Sequence, residues 1–162
     1  PVSVCSAKRG QTAGLGSVGA TATADSASGD RAEAHGIYRQ ALQRFPQAKS
    51  LVYGYADSLY TAGEYALALS FLETQLQRDA SDYRLYGLQA RTFAATGKRL
   101  QQHRAQAEHY YLQGLLGQAI EQLQFAQKET DGDFYQHSAV DARLRELRKL
   151  QQEEDKRKRD GG

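Results

Sequence analysis

Three glycines recur along the chain at a constant step of 34 residues: Gly29, Gly63 and Gly97. After each of the first two, an alanine follows five positions on, at Ala34 and Ala68. A fixed period of this length is typical of stacked units, each of which buries its apolar face only against its neighbours. Between the glycines, apolar residues recur at spacings of three and four, which predicts amphipathic helices. The sequence therefore predicts an all-α helical solenoid.

The first unit also has a small residue at Ala41 and closes on Pro46. This pattern resembles the tetratricopeptide motif, whose glycine ends the first helix and whose small residues let the second helix approach its neighbours closely. The later units depart from it, with Gln75 and Ala80 in the second and Gln102 in the third. The resemblance implies antiparallel helix pairs that wind into a right-handed superhelix, with a C-terminal capping helix.

A further glycine, Gly114, follows Gly97 after only half a period. Ala119 and Ala126 lie five and twelve residues beyond it, which restores the motif. The helix at 98–113 is therefore expected to serve twice, as the second helix of one unit and the first helix of the next, because a stacked helix needs only a neighbour on either side. The predicted helices are 31–45, 49–62, 64–78, 82–96, 98–113 and 115–128.

The N-terminal part of the chain has a different composition from the repeats. Of its first 27 residues, 17 are Gly, Ala, Ser or Thr, and such a segment buries too little apolar area to offset its ordering entropy. We expect residues 1–28 to form a flexible or poorly packed arm, although the 34-residue period predicts a helix at 15–28. The repeats, about three in number, are assigned to residues 29–130.

Residues 131–162 are predicted to form a capping helix and a charged tail. Val140, Leu144 and Leu147 form a narrow apolar stripe, and a solenoid needs a terminal helix with one polar face to cover its last apolar edge. Beyond Leu150 the stripe is lost, and we expect the tail to fray into solvent.

Composition and motifs exclude several classes of function. The net charge is only +2, so no global field would draw the chain to nucleic acid or an anionic membrane. No apolar run is long enough to span a bilayer, and the first residues do not form a signal peptide. The single cysteine, Cys5, excludes an internal disulfide. We predict no catalytic or metal site, since no histidine stands in H-E-x-x-H spacing: the four are His35, His103, His109 and His137.

A protein-binding groove is the remaining candidate site. By the tetratricopeptide pattern, the first helices of the units line a concave groove, and we take units that begin at Lys49, Tyr83 and Leu100. The groove slots then predict partner-binding residues, rich in the tyrosine and arginine that often anchor protein contacts: Tyr53, Asp57, Tyr60, Arg84, Arg91, Arg104, Glu108 and Tyr111.

Two other interpretations of these residues stay open. The tyrosines are equally consistent with packing residues whose hydroxyls are wet, and the arginines with an ordinary solvated helix face. The slots lack the lysine and asparagine set by which chaperone-binding members of the family grip a C-terminal carboxylate, because Asp57 and Arg91 stand where asparagine is needed. Capture of a chaperone tail is therefore disfavoured.

Two segments, "AEHYYLQGLLGQAIEQL" and "DFYQHSAVDARLRELR", carry a narrower resemblance. The chain from about residue 30 to 148 is similar to the C-terminal tetratricopeptide region of bacterial periplasmic zinc metalloproteases of the BepA (YfgC) type. The resemblance implies a periplasmic, non-catalytic module that docks on its protease domain, on outer-membrane assembly factors or on their clients. Zinc is then expected in an upstream domain, with no cofactor in this chain.

Three functions follow as alternatives. The chain is a protein-binding module, or it sets substrate access for a parent metallopeptidase, or it is a generic tetratricopeptide scaffold. The last includes a homodimer through an exposed repeat end, since an open apolar edge invites a second copy. None of the three involves nucleic acid or direct insertion into a membrane.

Overall fold

A computed structural model describes residues 18–161, with side chains from residue 29 onward. Within this range the chain forms seven α-helices and no β-strand. They are α1 (Val18–Arg44), α2 (Lys49–Thr61), α3 (Tyr65–Arg78), α4 (Tyr83–Ala95), α5 (Arg99–Leu112), α6 (Leu116–Lys128) and α7 (Phe134–Asp160). The bounds of α2 to α6 agree with the predicted helices to within a residue at each end.

Short connections of three to five residues join the helices, so consecutive helices run antiparallel. Each helix packs on the next along the chain, and α2 also contacts α4. This succession of nearest neighbours is a helical solenoid, as the 34-residue period predicts.

Three of the four motif glycines end a helix in the left-handed backbone region. Gly63, Gly97 and Gly114 have φ values of 78°, 72° and 78°, which cost a side-chain-bearing residue about 1 kcal/mol or more. Each lies two residues beyond the end of α2, α4 or α5. The half-period glycine thus makes the same turn as the full-period ones, and α5 packs on both α4 and α6 as predicted.

The boundary predicted at residue 28 is not a helix boundary. Gly29 lies inside α1, which begins at Val18 and continues to Arg44 without a break, and it is absent from the positive-φ positions. Residues 18–28 have no apolar stripe in their sequence, so folding back would bury little, whereas a continuous helix keeps its backbone hydrogen bonds. Of the arm predicted for residues 1–28, residues 18–28 belong to α1, and residues 1–17, with Cys5, lie outside the described residues.

The core consists of two clusters along the solenoid. One lies between α2, α3 and α4 and includes Val52, Ala56, Leu72 and Leu85. The other lies between α5, α6 and α7, and its fully buried members are Leu100, Ala107, Ala119, Ile120, Leu123, Ala126, Val140, Leu144 and Leu147. Motif alanines allow the close approach: Ala68 and Ala119 are fully buried, and Ala34 is half-buried.

The capping helix α7 packs its predicted stripe onto this second cluster. Asp133 caps its first turn in a capping box with Gln136, and in the preceding loop the Asp131 carboxylate accepts the Leu100 N–H at 3.0 Å. The fraying expected beyond Leu150 is not seen, because α7 continues to Asp160. Acidic residues followed at a spacing of four by basic ones account for that continuation.

Candidate functional site

Five polar residues form a network where α2 and α4 begin. Asp82, which is buried, accepts the Arg84 N–H at 3.1 Å and so caps α4. Its other oxygen accepts the Tyr53 hydroxyl at 2.6 Å and lies 3.0 Å from the Lys49 ammonium, which also binds Asp79.

The network shifts the proton affinity of its members. Burial, then the bond to Asp82, raises the pKa of Tyr53 to about 12. Burial by itself would raise the pKa of Asp82, but bonds from Tyr53, Lys49 and the Arg84 N–H outweigh it and hold that pKa below its ordinary value. Asp82 is therefore a stable anion at neutral pH, which fits a structural role.

A second cluster lies one turn further along the same two helices. The Arg91 guanidinium forms an ion pair with Asp57 and stands 4.0 Å from the centroid of the Tyr60 ring. Asp57 and Arg91 are separated by 34 residues, so the repeat period sets them side by side on neighbouring units. Within the first cluster, Arg84 also lies 5.6 Å from the Tyr53 ring. The two clusters together are here called the α2–α4 face.

The remaining predicted groove residues lie on α5, and two of them, Glu108 and Tyr111, contact α7, whereas Arg104 donates to Gln101. Arg143 of α7 donates to both oxygens of Glu108 at 2.8 and 2.7 Å and to Glu146 at 2.8 Å. Its guanidinium stands 4.5 Å from the Tyr111 ring. The hydrogen bonds to Glu108, which have the largest effect, and the one to Glu146 raise the pKa of the Arg143 guanidinium above its ordinary value.

The helical geometry of α4 shows that these are two different surfaces. Arg84 and Arg91 point to the α2–α4 face, whereas Tyr86 and Phe93 line a cavity together with Glu108. Each aromatic residue follows one of the arginines by two positions, which is about 200° around a helix. The single groove predicted from the slots is therefore divided, because α5 turns back at Gly97 and presents its slots on the other side of α4.

The cavity has a volume of about 980 Å3. Residues of α3, α4, α5 and α7 line most of it, with apolar side chains beside charged ones of both signs. The principal lining residues are Leu69, Glu73, Tyr86, Gln89, Phe93, Lys98, Gln101, Arg104, Glu108, Arg143 and Glu146.

Sequence reasoning found Arg104 and Glu108 of this cavity but missed Tyr86, Phe93 and Arg143. Tyr86, Gln89 and Phe93 are spaced at three and four residues, which was a detectable signal for one face of α4. Arg143 had no comparable signal, because its role depends on how α7 packs against α5.

Two of the four histidines, His103 and His109, form hydrogen bonds that fix their rings. His109 donates Nδ1–H to the Tyr83 carbonyl at 2.8 Å, and its Nε2 accepts from Gln113. His103 donates to the Gln122 amide oxygen at 2.9 Å. Across residues 29–161, no three His, Cys, Asp or Glu side chains converge in a way that could hold a metal ion. In the same part of the chain, no helix has the length and apolar character needed to cross a membrane.

Comparison with known proteins identifies the repeat. A model of the tetratricopeptide repeat family matches residues 26–92, from α1 to the last turn of α4. A comparison with curated proteins found no match. Residues 26–92 are therefore a tetratricopeptide region, and the described residues fold as an all-α helical solenoid. Such repeats generally mediate protein–protein interaction and are typically non-catalytic scaffolds.

Proposed function

From the tetratricopeptide repeat region at residues 26–92, we propose that the chain is a protein-binding module whose cavity receives a polypeptide segment of a partner. One observation carries the proposal: the cavity between α3, α4, α5 and α7, of about 980 Å3. Ligand sites commonly have volumes of this order and combine apolar walls with a few oriented polar groups.

The lining suits a peptide rather than a small metabolite. Leu69, Tyr86 and Phe93 offer apolar surface to a partner's side chains, while the amides of Gln89 and Gln101 can bond its backbone. The Glu108 carboxylate is already bound by Arg143. The charges that a partner meets are thus held in fixed positions, which favours selectivity.

Two cations complete the recognition surface. Among residues 29–161, no carboxylate lies within ion-pair distance of Lys98 or Arg104, whose guanidinium donates to Gln101 at 3.2 Å. Acidic side chains of a partner segment would pair with them, and Glu73 would accept a basic one.

The test is to block the cavity from an exposed position. Ala66→Trp places an indole at the cavity wall on α3, and Ala95→Trp, at the exposed end of α4 outside the lining, is the matched control. We expect the first variant to lose retention on columns that carry purified barrel-assembly subunits, while the control keeps it. Equal retention of both variants would contradict binding in the cavity.

The α2–α4 face is tested separately. Arg84→Glu with Arg91→Glu reverses its two arginines without touching the cavity lining. Because these arginines already pair with Tyr53, Asp57 and Tyr60, we expect little change in retention. A loss with this variant, while Ala66→Trp binds normally, would transfer the site to the slots on α2 and α4.

We further propose that this module is the non-catalytic part of a periplasmic zinc metalloprotease of the BepA type. The support is the similarity of the segments that form the α5–α6 turn and α7. The partners would be the parent's own protease domain, outer-membrane assembly factors or their clients. The described residues do not fit a zinc site, so zinc would be bound by an upstream domain.

The reading frame upstream of residue 1 tests this assignment. We expect it to encode an H-E-x-x-H helix, and the purified parent to bind zinc and to lose peptidase activity on chelation. A reading frame without this motif would contradict the protease assignment and would leave the cavity proposal unaffected.

Self-association is a second candidate, favoured by exposed apolar residues at the α1 end. Ile37 and Phe45 are each 62% exposed, and Leu67, at 58%, lines a groove of about 600 Å3 between α1 and α3. A second copy could cover them. Sedimentation at several concentrations tests this, with Leu67→Asp expected to abolish any dimer; a strict monomer would contradict it.

A further inference from the structure

The outer face of α7 carries a row of basic side chains. Five exposed cations lie within an arc of about 100° around the helix axis and therefore share one side of the helix. This row, called the basic stripe, consists of Arg145, Arg148, Lys149, Lys156 and Arg159.

The stripe faces away from the solenoid. Val140, Leu144 and Leu147 are fully buried against α6 and α5, and the stripe lies on average about 125° around the helix from them. The stripe is thus a solvent-facing surface about 20 Å long at 1.5 Å per residue.

Stabilisation of α7 accounts for part of the stripe. Asp141 and Asp155 stand four residues before Arg145 and Arg159, a stabilising order. Arg145 and Lys149, within it, are also four residues apart, and like charges at that spacing repel. Crowding of like charge on one exposed side of the helix indicates an anionic partner.

Acidic residues near the stripe compensate its charge only in part. Asp141 shares its register, and the neutral Gln127 amide that donates to its carboxylate at 2.6 Å does not offset its negative charge. Asp155 and Asp160 flank only its C-terminal end. The net charge of +2 therefore conceals a local segregation of charge on this helix.

An exposed aromatic pair precedes the stripe on the same helix. Phe134 and Tyr135, at the start of α7, are 79% and 81% exposed, and their rings pack edge to face at 5.9 Å between centroids. Phe134 precedes Arg145 by eleven residues, which is about three turns, so it lies in register with the stripe. Among the large apolar side chains of the described residues, these two are the most exposed.

We propose that the outer face of α7 docks on the surface of a lipid bilayer that contains anionic phospholipids. The five cations meet the phosphate headgroups, and the two aromatic residues enter the interfacial layer, where such rings are favoured. The helix lies on the bilayer and does not span it. This surface is separate from the cavity and goes beyond the proposed binding of a protein partner.

An anionic bilayer accounts for both the cations and the exposed aromatic residues of this surface. The face is a straight line of about 38 Å from Phe134 to Arg159 at 1.5 Å per residue, which suits a flat partner. Duplex DNA would satisfy the cations but offers no apolar layer for an exposed phenylalanine. An anionic bilayer offers phosphates and an apolar layer together.

The experiment measures co-sedimentation of the full chain with vesicles. One set contains phosphatidylcholine alone and the other equal parts of phosphatidylcholine and phosphatidylglycerol. We expect binding only to the second set, weakening as salt is raised because exposed charges are screened. Arg145→Gln, Arg148→Gln and Lys149→Gln together should weaken that binding about a hundredfold at low salt.

The matched control removes the same charge elsewhere. Arg31→Gln, Arg39→Gln and Arg78→Gln together change three exposed cations outside α7 and should leave vesicle binding within about twofold of the original. Phe134→Ser with Tyr135→Ser should weaken binding to anionic vesicles while the salt dependence persists.

Three results would overturn the proposal. They are absence of binding to anionic vesicles, equal losses in the stripe variant and its control, and binding to a duplex DNA probe without binding to vesicles. Helical content measured by circular dichroism should be the same in all variants, so that a loss of vesicle binding reflects the changed surface and not unfolding. Failure here would leave the cavity proposal untouched, since Ala66→Trp tests that site independently.

Discussion

At the scale of residues, polar side chains of the α2–α4 face satisfy one another across the repeat. Asp82 is the centre of this arrangement: it caps α4, binds Lys49 and accepts the Tyr53 hydroxyl. A buried carboxylate without such partners would be costly. Tyr53, which the repeat pattern predicts as a groove residue, therefore also joins consecutive units to one another.

Replacement of Tyr53 by phenylalanine tests this role. The change removes one hydrogen bond to a buried carboxylate, so we expect a loss of about 1–3 kcal/mol in the free energy of unfolding. Urea denaturation followed by circular dichroism measures it. Tyr65→Phe, on a hydroxyl with no such carboxylate bond, is a control that should stay within about 0.5 kcal/mol.

The hydrogen bond between Tyr53 and Asp82 also predicts that the free energy of unfolding depends on pH in the alkaline range. Because the pKa of Tyr53 is raised to about 12 in the folded state, its stabilisation is complete below the unfolded value of about 10. It is then lost as the pH rises through the folded value. The stability advantage of the natural chain over Tyr53→Phe should therefore shrink between pH 10 and 12; a constant difference would contradict this assignment.

At the scale of elements, helix ends distinguish the repeats from the segments that border them. Gly63, Gly97 and Gly114 turn the chain through a left-handed residue, whereas Gly29 occupies the equivalent position inside the continuous helix α1. A glycine at the repeat position is therefore not sufficient to form a turn. A turn forms where both flanking helices have an apolar face to bury.

Alanine substitution should have opposite signs at two of these glycines. Gly63→Ala forces a side-chain-bearing residue to φ near 78° and should destabilise the fold by about 1–2 kcal/mol. Gly29→Ala meets no atom within 4 Å and should stabilise α1 by up to about 1 kcal/mol. Thermal unfolding of both variants measures the difference, and effects of the same sign would contradict the assignment of Gly29 to a helix interior.

The capping helix makes its contribution through its first half. Leu147 is fully buried in the cluster with α5 and α6, so Leu147→Ala should cost about 2–5 kcal/mol. Deletion of residues 153–162, which contain no fully buried side chain among those described, should cost less than about 1 kcal/mol. Chemical denaturation compares the two variants; equal losses would show that the tail is part of the packed structure.

At the scale of the whole molecule, the solenoid has unequal ends. The helix α1 packs chiefly on α2, whereas α5 and α6 each have neighbours on both sides. The C-terminal end is closed by α7, which Arg143 also ties to α5 through Glu108. In repeat proteins such differences in neighbour contacts become differences in local stability.

Hydrogen exchange should follow that gradient. We expect backbone amides of α5 and α6 to exchange most slowly and those of α1 most rapidly, since fewer buried contacts oppose opening there. Native-state exchange measured by mass spectrometry gives the order directly. Uniform protection along the chain would indicate a single cooperative unit instead.

Much of this architecture follows from local sequence pattern. The 34-residue period, the half-period turn at Gly114 and the stripe of α7 predict nearly every helix, because each depends on side chains close in sequence. Tertiary contacts decide the rest. The split of the predicted groove into two surfaces, the cavity lining at Tyr86 and Phe93, and the partner of Arg143 depend on how α5 and α7 fold back, and the spacing within one helix does not determine which neighbour each of its faces meets.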